Sequence, residues 1–514
     1  MTARSTPVTA EETPPFAAGS TDTAALSGQV RRAVFWRTGT QIVSQLISWT
    51  ATLIVIRLLA PADYGLFAMA QVMMTFLDFL NGYGFASALI QSKNLAKDAI
   101  RQALGITILL NFGIAGLQIA IAPYVATYYG RPEIADLLRL LAFGYMATPF
   151  IIIPEVILSR GLDFRKQAVV NLTAAIVGAS TSLFCALSGF GVWTLIYAPL
   201  ALIATRAIGL TLAAGVYVWP SFNFRGAGTI AKFGGALMLS HLFWVMQSQS
   251  DIFIAGRLYS ATEIGLYAQA LFLTQLVMAK FVPALNQVAF PAYARLQDDL
   301  PTLRWGFLGS IRLITLATAP IYIGIAASAT PLVEVLFGEK WLGMVPMMQI
   351  LGFVMPLMTI QILFAPMHNA LGRPDLSVKS ALCGALLFSA AFFVGSRFGV
   401  VELAAAWLVA APALLFCTIR LGTPLTRIAV GDILLAAGPG VGCALGMGAL
   451  VSGLDQLLAP HIPPIPHLAL LVAIGGASYA GLSWIFQRAV LLRLIGLLCR
   501  RGVDGDGADQ APAI

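Results

Sequence analysis

The chain has 514 residues, 58% of them hydrophobic and only 11% charged, with a mean hydropathy of +0.84. A soluble domain carries about 25% charged residues, so composition excludes a water-soluble fold and selects a polytopic membrane protein. The net charge of +8 does not point to nucleic acid, because the cations punctuate apolar runs and form no basic domain.

Residues 1–30 are rich in Thr, Ala, Pro and acids and lack the charged start and apolar core of a signal peptide. A disordered cytoplasmic tail is expected there. A spanning helix needs about 20 mostly apolar residues. Such runs fall near 36–58, 64–88, 100–125, 134–158, 167–188 and 191–217. A second series lies near 230–258, 264–290, 307–336, 344–370, 376–396 and 400–421, and two more near 432–453 and 467–487. The expected fold is all-α, a polytopic bundle of about fourteen transmembrane helices. It divides into an N-lobe of six helices (31–220), a C-lobe of six (221–425), a C-terminal pair (426–490) and a cytoplasmic tail (491–514).

Loop cations orient the bundle. With the N-terminus inside, only Arg57, Arg131, Arg139, Arg257, Lys340 and Arg397 of the 31 Lys and Arg residues fall outside, and Lys280 falls within a span. The rest are cytoplasmic, as are both termini. Cys185, Cys383, Cys417, Cys443 and Cys499 are widely spaced and show no CxxC or Cys/His pattern. Neither a metal site nor a disulfide is indicated, and no cofactor is expected.

The stretch RLLAPADYGLFAMA at 57–70 returns as RLYSATEIGLYAQA at 257–270. In register the two share Arg57/Arg257, Leu58/Leu258, Gly65/Gly265, Leu66/Leu266, Ala68/Ala268 and Ala70/Ala270, which marks an internal repeat. The copies join helix 1 to helix 2 and helix 7 to helix 8, with an even number of helices between them. Both corners therefore face one side, and the lobes are parallel repeats about a pseudo-twofold axis along the membrane normal. Segments 121–146 and 329–355 extend the likeness, with Pro123/Pro331 and Gly130/Gly338 in step. A seam between two such lobes can open to either side by rocking, the geometry of alternating access. The other reading is a duplication that only enlarges a scaffold. Within each corner, Arg57 or Arg257 can bond terminal carbonyls and complement the helix dipole. Pro61 cannot continue its helix, Asp63 or Thr262 can cap the next, and Gly65 and Gly265 let helices approach closely.

The motifs LIVIRLLAPADYGLFAMA (53–70), GYGFASALIQ (82–91) and QSDIFIAGRLYSATEIGLYAQA (249–270) resemble those of the polysaccharide transporter family. So do VAFPAYARLQDD (288–299), LFGEKWLGMVPMMQILG (336–352) and ALGRPDLSVKSAL (370–382). This is the Wzx-type flippase family, within the superfamily that includes multidrug exporters and lipid II flippases. The likeness runs from residue 36 to residue 425, while the last two helices match by count more than by residues. It implies a flippase that carries an undecaprenyl-pyrophosphate-linked oligosaccharide from the cytoplasmic to the periplasmic face of the inner membrane. The setting would be exopolysaccharide, capsule or lipopolysaccharide assembly, with a polymerase and chain-length or export proteins as further partners.

Ionisable residues inside a bilayer are costly, about 2.5–3.5 kcal/mol each on insertion scales, so each one calls for a cavity or a partner. Lys280, three residues before Pro283, is a compact cation suited to the pyrophosphate of the implied substrate. It can equally snorkel or pair with a carboxylate. The resemblance strengthens the cavity reading, since lipid II flippases place cations from helices 1, 2 and 8 there; here helix 2 offers Asp78 and no cation. Arg37 stands at the cytoplasmic mouth, as phosphate attractor or as ordinary anchor. Asp251, with Gln247, Ser248, Gln249 and Ser250, forms a polar stretch that would line the cavity, unless Asp251 pairs with Arg57 or Arg257. Asp78, mid-helix 2 with Asn81 one turn on, is the candidate for proton or sodium coupling, the other reading being a carboxylate that only pairs with Lys280. His241 reads as a core histidine, and Lys340 with Trp341 as an interface anchor, a gating or sugar contact being the other reading.

The leading expectation is a lipid-linked oligosaccharide flippase, with a cation-coupled multidrug exporter as the alternative. A membrane glycosyltransferase or polymerase is remote. The outer loops are short, His461 and His467 have no acid beyond Asp455 for company, and no P-loop is present, so no enzyme is expected.

Overall fold

A computed structural model describes residues 21–78, 97–160, 163–215, 219–222, 228–458 and 461–500. Regular structure among the described residues is entirely helical. In chain order the helices are α1 (Thr21–Leu58), α2 (Pro61–Asp78), α3 (Lys97–Tyr129), α4 (Glu133–Ala147), α5 (Pro149–Arg160) and α6 (Phe164–Leu187). After these come α7 (Thr194–Ala214), α8 (Gly228–Ala255), α9 (Ala261–Arg295), α10 (Leu300–Ala327), α11 (Ala329–Leu336) and α12 (Val345–Gln361). The last are α13 (Phe364–Ala370), α14 (Pro374–Gly395), α15 (Val400–Thr426), α16 (Val430–Leu458) and α17 (Pro464–Arg500), with 3-10 turns at Gly191–Trp193 and Glu339–Met344.

Among the described residues, 12 stretches are long and apolar enough to cross a bilayer. Three are composite: α4 runs into α5 (Glu133–Ser159), the turn at Gly191 runs into α7 (Gly191–Ala214), and the turn at Glu339 runs through α12 and α13 (Glu339–Ala370). The two other expected spans begin on α2 and α8. Residues 79–88 of the first lie outside the described residues, as do the side chains of 228–241 in the second. Prolines sit inside α3 (Pro123), α7 (Pro199), α9 (Pro283, Pro291), α10 (Pro320) and α15 (Pro412, Pro424). Membrane helices tolerate them because neighbouring helices and hydroxyl side chains satisfy the freed carbonyls.

Two expected boundaries move. α1 starts at Thr21, ahead of the tail boundary at 30, because the proline-free run from Ala24 to Phe35 is rich in helix formers. At the other end α17 continues to Arg500 through a kink at Gln487 (φ −135°, ψ 26°), which closes the apolar stretch Pro464–Arg488. Residues 1–20 and 501–514 lie outside the described residues.

Helices α1 and α3 to α7 pack chiefly within one set and α8 to α15 within another, and the two sets meet through α2, which lies mainly against α9 and also against α8. The largest apolar cluster crosses that meeting and joins Met69 and Ala70 of α2 to Tyr267 and Ala270 of α9 and to Trp341 and Met344. The last pair joins the second set. Gly440, Ala444 and Gly448 form a small-residue face on α16 that brings it close to α10: a Cβ on Gly448 would stand 2.5 Å from Ile323 Cγ2, and one on Gly440 3.2 Å from Thr315 Cγ2. α17 adds a hydrogen bond from Tyr479 Oη to Leu316 O at 2.8 Å.

Candidate functional site

The site begins at the repeated corners, because they decide where the two helix sets touch. At the first corner, Asp63 Oδ2 accepts from the backbone N–H of Ala60 at 2.9 Å. At the second, Ser260 and Glu263 form a full capping box, with Glu263 Oε2 accepting from Ser260 N at 2.9 Å. The cap is therefore Ser260 and not Thr262, the S-x-x-E spacing that satisfies orphan N–H groups reciprocally. These caps start α2 and α9 at matching places and bring two glycines face to face. A Cβ on Gly65 would lie 1.8 Å from Ala261 O and 3.0 Å from Gly265 N, and a Cβ on Gly265 would lie 1.8 Å from Pro61 O and 3.0 Å from Gly65 N. The distances are reciprocal, so the two corners meet about a local twofold.

The arginines follow the same logic. Arg57 does not bond its own helix's carbonyls; it donates to the carbonyls of Val335 and Leu336, the last residues of α11 in the opposite set. A cation at a helix C-terminus complements the dipole and satisfies free carbonyls. Arg257 also reaches across, with its guanidinium 5.4 Å from the ring of Tyr128 at the end of α3. Trp341 closes the same end. It is fully buried, donates Nε1–H to Ile56 O at 3.0 Å, and meets Tyr64 edge-on at 5.4 Å. This corrects the expectation of a Trp341 interface anchor: the indole sits in protein and holds α1 to the opposite set. Tyr259, between α8 and α9, donates to Ser396 O at 2.9 Å; burial, with Glu263 and Glu402 adding, pushes its hydroxyl above the usual phenol range.

Away from the corners the seam is different. Lys280 on α9 is exposed, and its Nζ lies 5.6 Å from the ring centroid of Trp49 on α1, a cation–π contact across the two sets. Trp49 is itself 43% exposed. On α1, Thr38, Gln41, Gln45, Ser48 and Thr52 follow one another at three- and four-residue steps, so they share a face. All five are exposed or half-buried. This polar stripe was not singled out from the sequence, although its i, i+3, i+4 spacing is readable there.

Other candidates fall elsewhere. Asp251 is fully buried within the second set. Its Oδ2 accepts from Tyr267 Oη at 2.8 Å and its Oδ1 from Ile252 N at 2.7 Å, while Trp407 Nε1 donates to Tyr267 Oη at 2.9 Å. It neither lines a cavity nor pairs with Arg57 or Arg257, because an internal phenol and its own helix's backbone supply its donors. Gln247 is also buried, packed where a Cβ on Gly384 of α14 would meet its Oε1 at 1.9 Å. Asp78 is half-buried at the end of α2. The side chains of Arg37 and His241 lie outside the described residues. The aromatic residues Tyr124, Tyr128 and Phe253 line an apolar cavity of about 180 Å³ between α2, α3 and α8.

Comparison with known proteins agrees with this architecture. A family described as "Polysaccharide biosynthesis protein" matches residues 54–346. The succinoglycan biosynthesis transport protein ExoT of Rhizobium meliloti is 24% identical over 475 residues, covering 91% of this chain and 95% of that protein. The lipopolysaccharide biosynthesis protein WzxC of Escherichia coli is 21% identical over 347 residues, covering 66% and 70%. Among solved structures, lipid II flippase MurJ in an inward closed conformation superposes with a TM-score of 0.68 at 12% identity, covering 88% of this chain and 99% of that one. An inward-facing multidrug transporter of the MATE family gives 0.58 at 17% identity, covering 77% and 96%. The likeness to these two is one of fold.

Proposed function

Because this chain belongs to the polysaccharide biosynthesis family of membrane transport proteins, we propose that it flips an undecaprenyl-pyrophosphate-linked oligosaccharide from the cytoplasmic to the periplasmic face by alternating access. Lys280 carries the reading. It is a cation on an apolar helix, exposed, stacked on Trp49 across the seam, and followed along α1 by hydroxyls and amides. Lipid would reject that combination, whereas a wet cavity would use all of it. A lysine there supplies a compact charge for the pyrophosphate, and the stripe supplies donors and acceptors for sugar hydroxyls.

The corner contacts support the second half of the proposal. With both termini in the cytoplasm, the corner end faces the periplasm, so this state is shut outward and loads from the cytoplasm. Release requires the Arg57, Arg257 and Trp341 contacts to break while the other end closes.

A deletion strain complemented with variants tests the reading. Lys280→Ala at normal protein level is expected to abolish surface polymer and to accumulate undecaprenyl-linked sugar, and Lys280→Arg to restore part of the output. Wild-type polymer from Lys280→Ala would reject the cavity role. Drug sensitivity with intact polymer in the deletion strain would turn the assignment to the multidrug exporter.

A further inference from the structure

A second polar cavity lies within the first helix set, between α1, α5, α6 and α7, with a volume of about 350 Å³. That is within the range of small-molecule sites, about 300–1,000 Å³. Its walls are unlike a membrane core. Glu155 and Arg206 face each other there, Oε2 to Nη2 at 3.5 Å. Gln167, itself buried, donates its amide to Glu155 O at 3.0 Å and to Ser159 Oγ at 2.9 Å, which fixes its orientation. Three further buried atoms at this cavity have no protein partner: Ser44 Oγ, Asn171 Oδ1 and Arg206 Nε. Orphaned buried polar atoms are costly, and here a donor, an acceptor and a hydroxyl belong to side chains of one cavity wall.

The charge pattern selects the ligand class. One carboxylate and one guanidinium leave the lining neutral, so a free anion meets Glu155 and a free cation meets Arg206. A group that both donates and accepts at several positions suits a wall of Ser44, Asn171, Gln41 and Arg206, and vicinal hydroxyls do this. Phe164 adds an aromatic wall against which the C–H face of a sugar ring can lie. We propose that this cavity is a saccharide subsite that takes one uncharged pyranose ring. The proposal rests on the reading of a sugar-bearing substrate and places part of it. Gln41 belongs both to the cavity wall and to the α1 stripe, and from Gln41 to Trp49 the helix rises about 12 Å. The ring held here is therefore distal to a pyrophosphate at Lys280.

Saturation-transfer NMR on the full-length protein in lipid nanodiscs tests this, with methyl β-glucopyranoside, methyl β-galactopyranoside and methyl α-mannopyranoside as probes. At least one is expected to receive saturation from the wild-type protein, and equally from Lys280→Gln. In Asn171→Leu the affinity should fall about tenfold, the effect of losing one buried hydrogen bond. Ser44→Val serves the same purpose if Asn171→Leu does not elute as a folded monodisperse species. No transfer to any hexoside overturns the subsite, as does transfer unchanged in both cavity variants. Transfer lost in Lys280→Gln but kept in the cavity variants puts the ring in the seam and also overturns it. Inorganic phosphate displacing the hexoside would mark an anion site and reject the sugar assignment. Failure of the flippase reading shows separately, as full polymer output from Lys280→Ala.

Discussion

Replacing Gly65 or Gly265 by alanine should tilt the protein away from the state closed at the corners. The added Cβ would lie 1.8 Å from a backbone carbonyl oxygen, that of Ala261 or Pro61 respectively, where real Cβ atoms keep at least 3.0 Å. Backbone cannot rotate aside, so α2 and α9 must separate by 1.2 Å or more at their closest point. Overpacking of this kind costs about 1–3 kcal/mol, which lowers the closed-to-open ratio by about 5- to 160-fold if the open state is free of the clash. Spin labels at Leu58→Cys and Leu258→Cys, both exposed beside the corners, report the ratio as a distance distribution in nanodiscs. The short-distance population should shrink in either alanine variant, and by similar amounts, because the two contacts are reciprocal. An unchanged distribution in a folded protein would refute the reasoning, and so would a shift confined to one glycine.

Two further outcomes are expected. Arg57→Gln should move the same label distances more than Arg257→Gln, since bonds to two carbonyls hold the first, worth about 1 kcal/mol at an exposed rim, and a single ring face the second, worth about 0.5 kcal/mol; equal shifts would count against the assignment. Asp251→Leu should lower thermal stability far more than Asp251→Asn, because leucine leaves the buried Tyr267 hydroxyl without its acceptor at about 1–3 kcal/mol, and equal melting temperatures would remove this chain from the core's support.

Helix positions were legible because the bilayer imposes a length, and an apolar run of that length has few other uses. The boundaries at 30 and 490 moved because helix propensity continues past the membrane, where hydropathy no longer reports it. The corner was legible as a repeat, yet its purpose was not: the acceptors of Arg57 are backbone carbonyls 278 and 279 residues away, and a carbonyl leaves no mark in the sequence. Ser260 with Glu263 did leave one, in its S-x-x-E spacing. The polar run ending at Asp251 suggested a cavity, since a polar residue in lipid must face water or a partner. Its partner, Tyr267, lies 16 residues on and is held by Trp407 from another helix, and a single sequence cannot distinguish that internal answer from a wet one. Thr38, Gln41, Gln45, Ser48 and Thr52 show the reverse case, where charge drew attention and uncharged polarity at helical spacing did not.

The corner's chemistry also bears on how such a protein could move. The closed corner combines an apolar cluster shared by α2 and α9 with two arginine clasps, one indole hydrogen bond and a glycine pair that approaches without side chains. Each polar contact is worth about 0.5–1.5 kcal/mol, and opening also exposes apolar surface of the shared cluster. A substrate that favours one state tenfold shifts the balance by about 1.4 kcal/mol, and several subsites along α1 would multiply that preference. Gly65 and Gly265 then have a kinetic meaning. They let α2 and α9 approach backbone to backbone at the corner, which sets the register in which the shared apolar cluster closes. On this argument a bulkier residue at either position does more than weaken closure: it shifts the register in which the two sets meet.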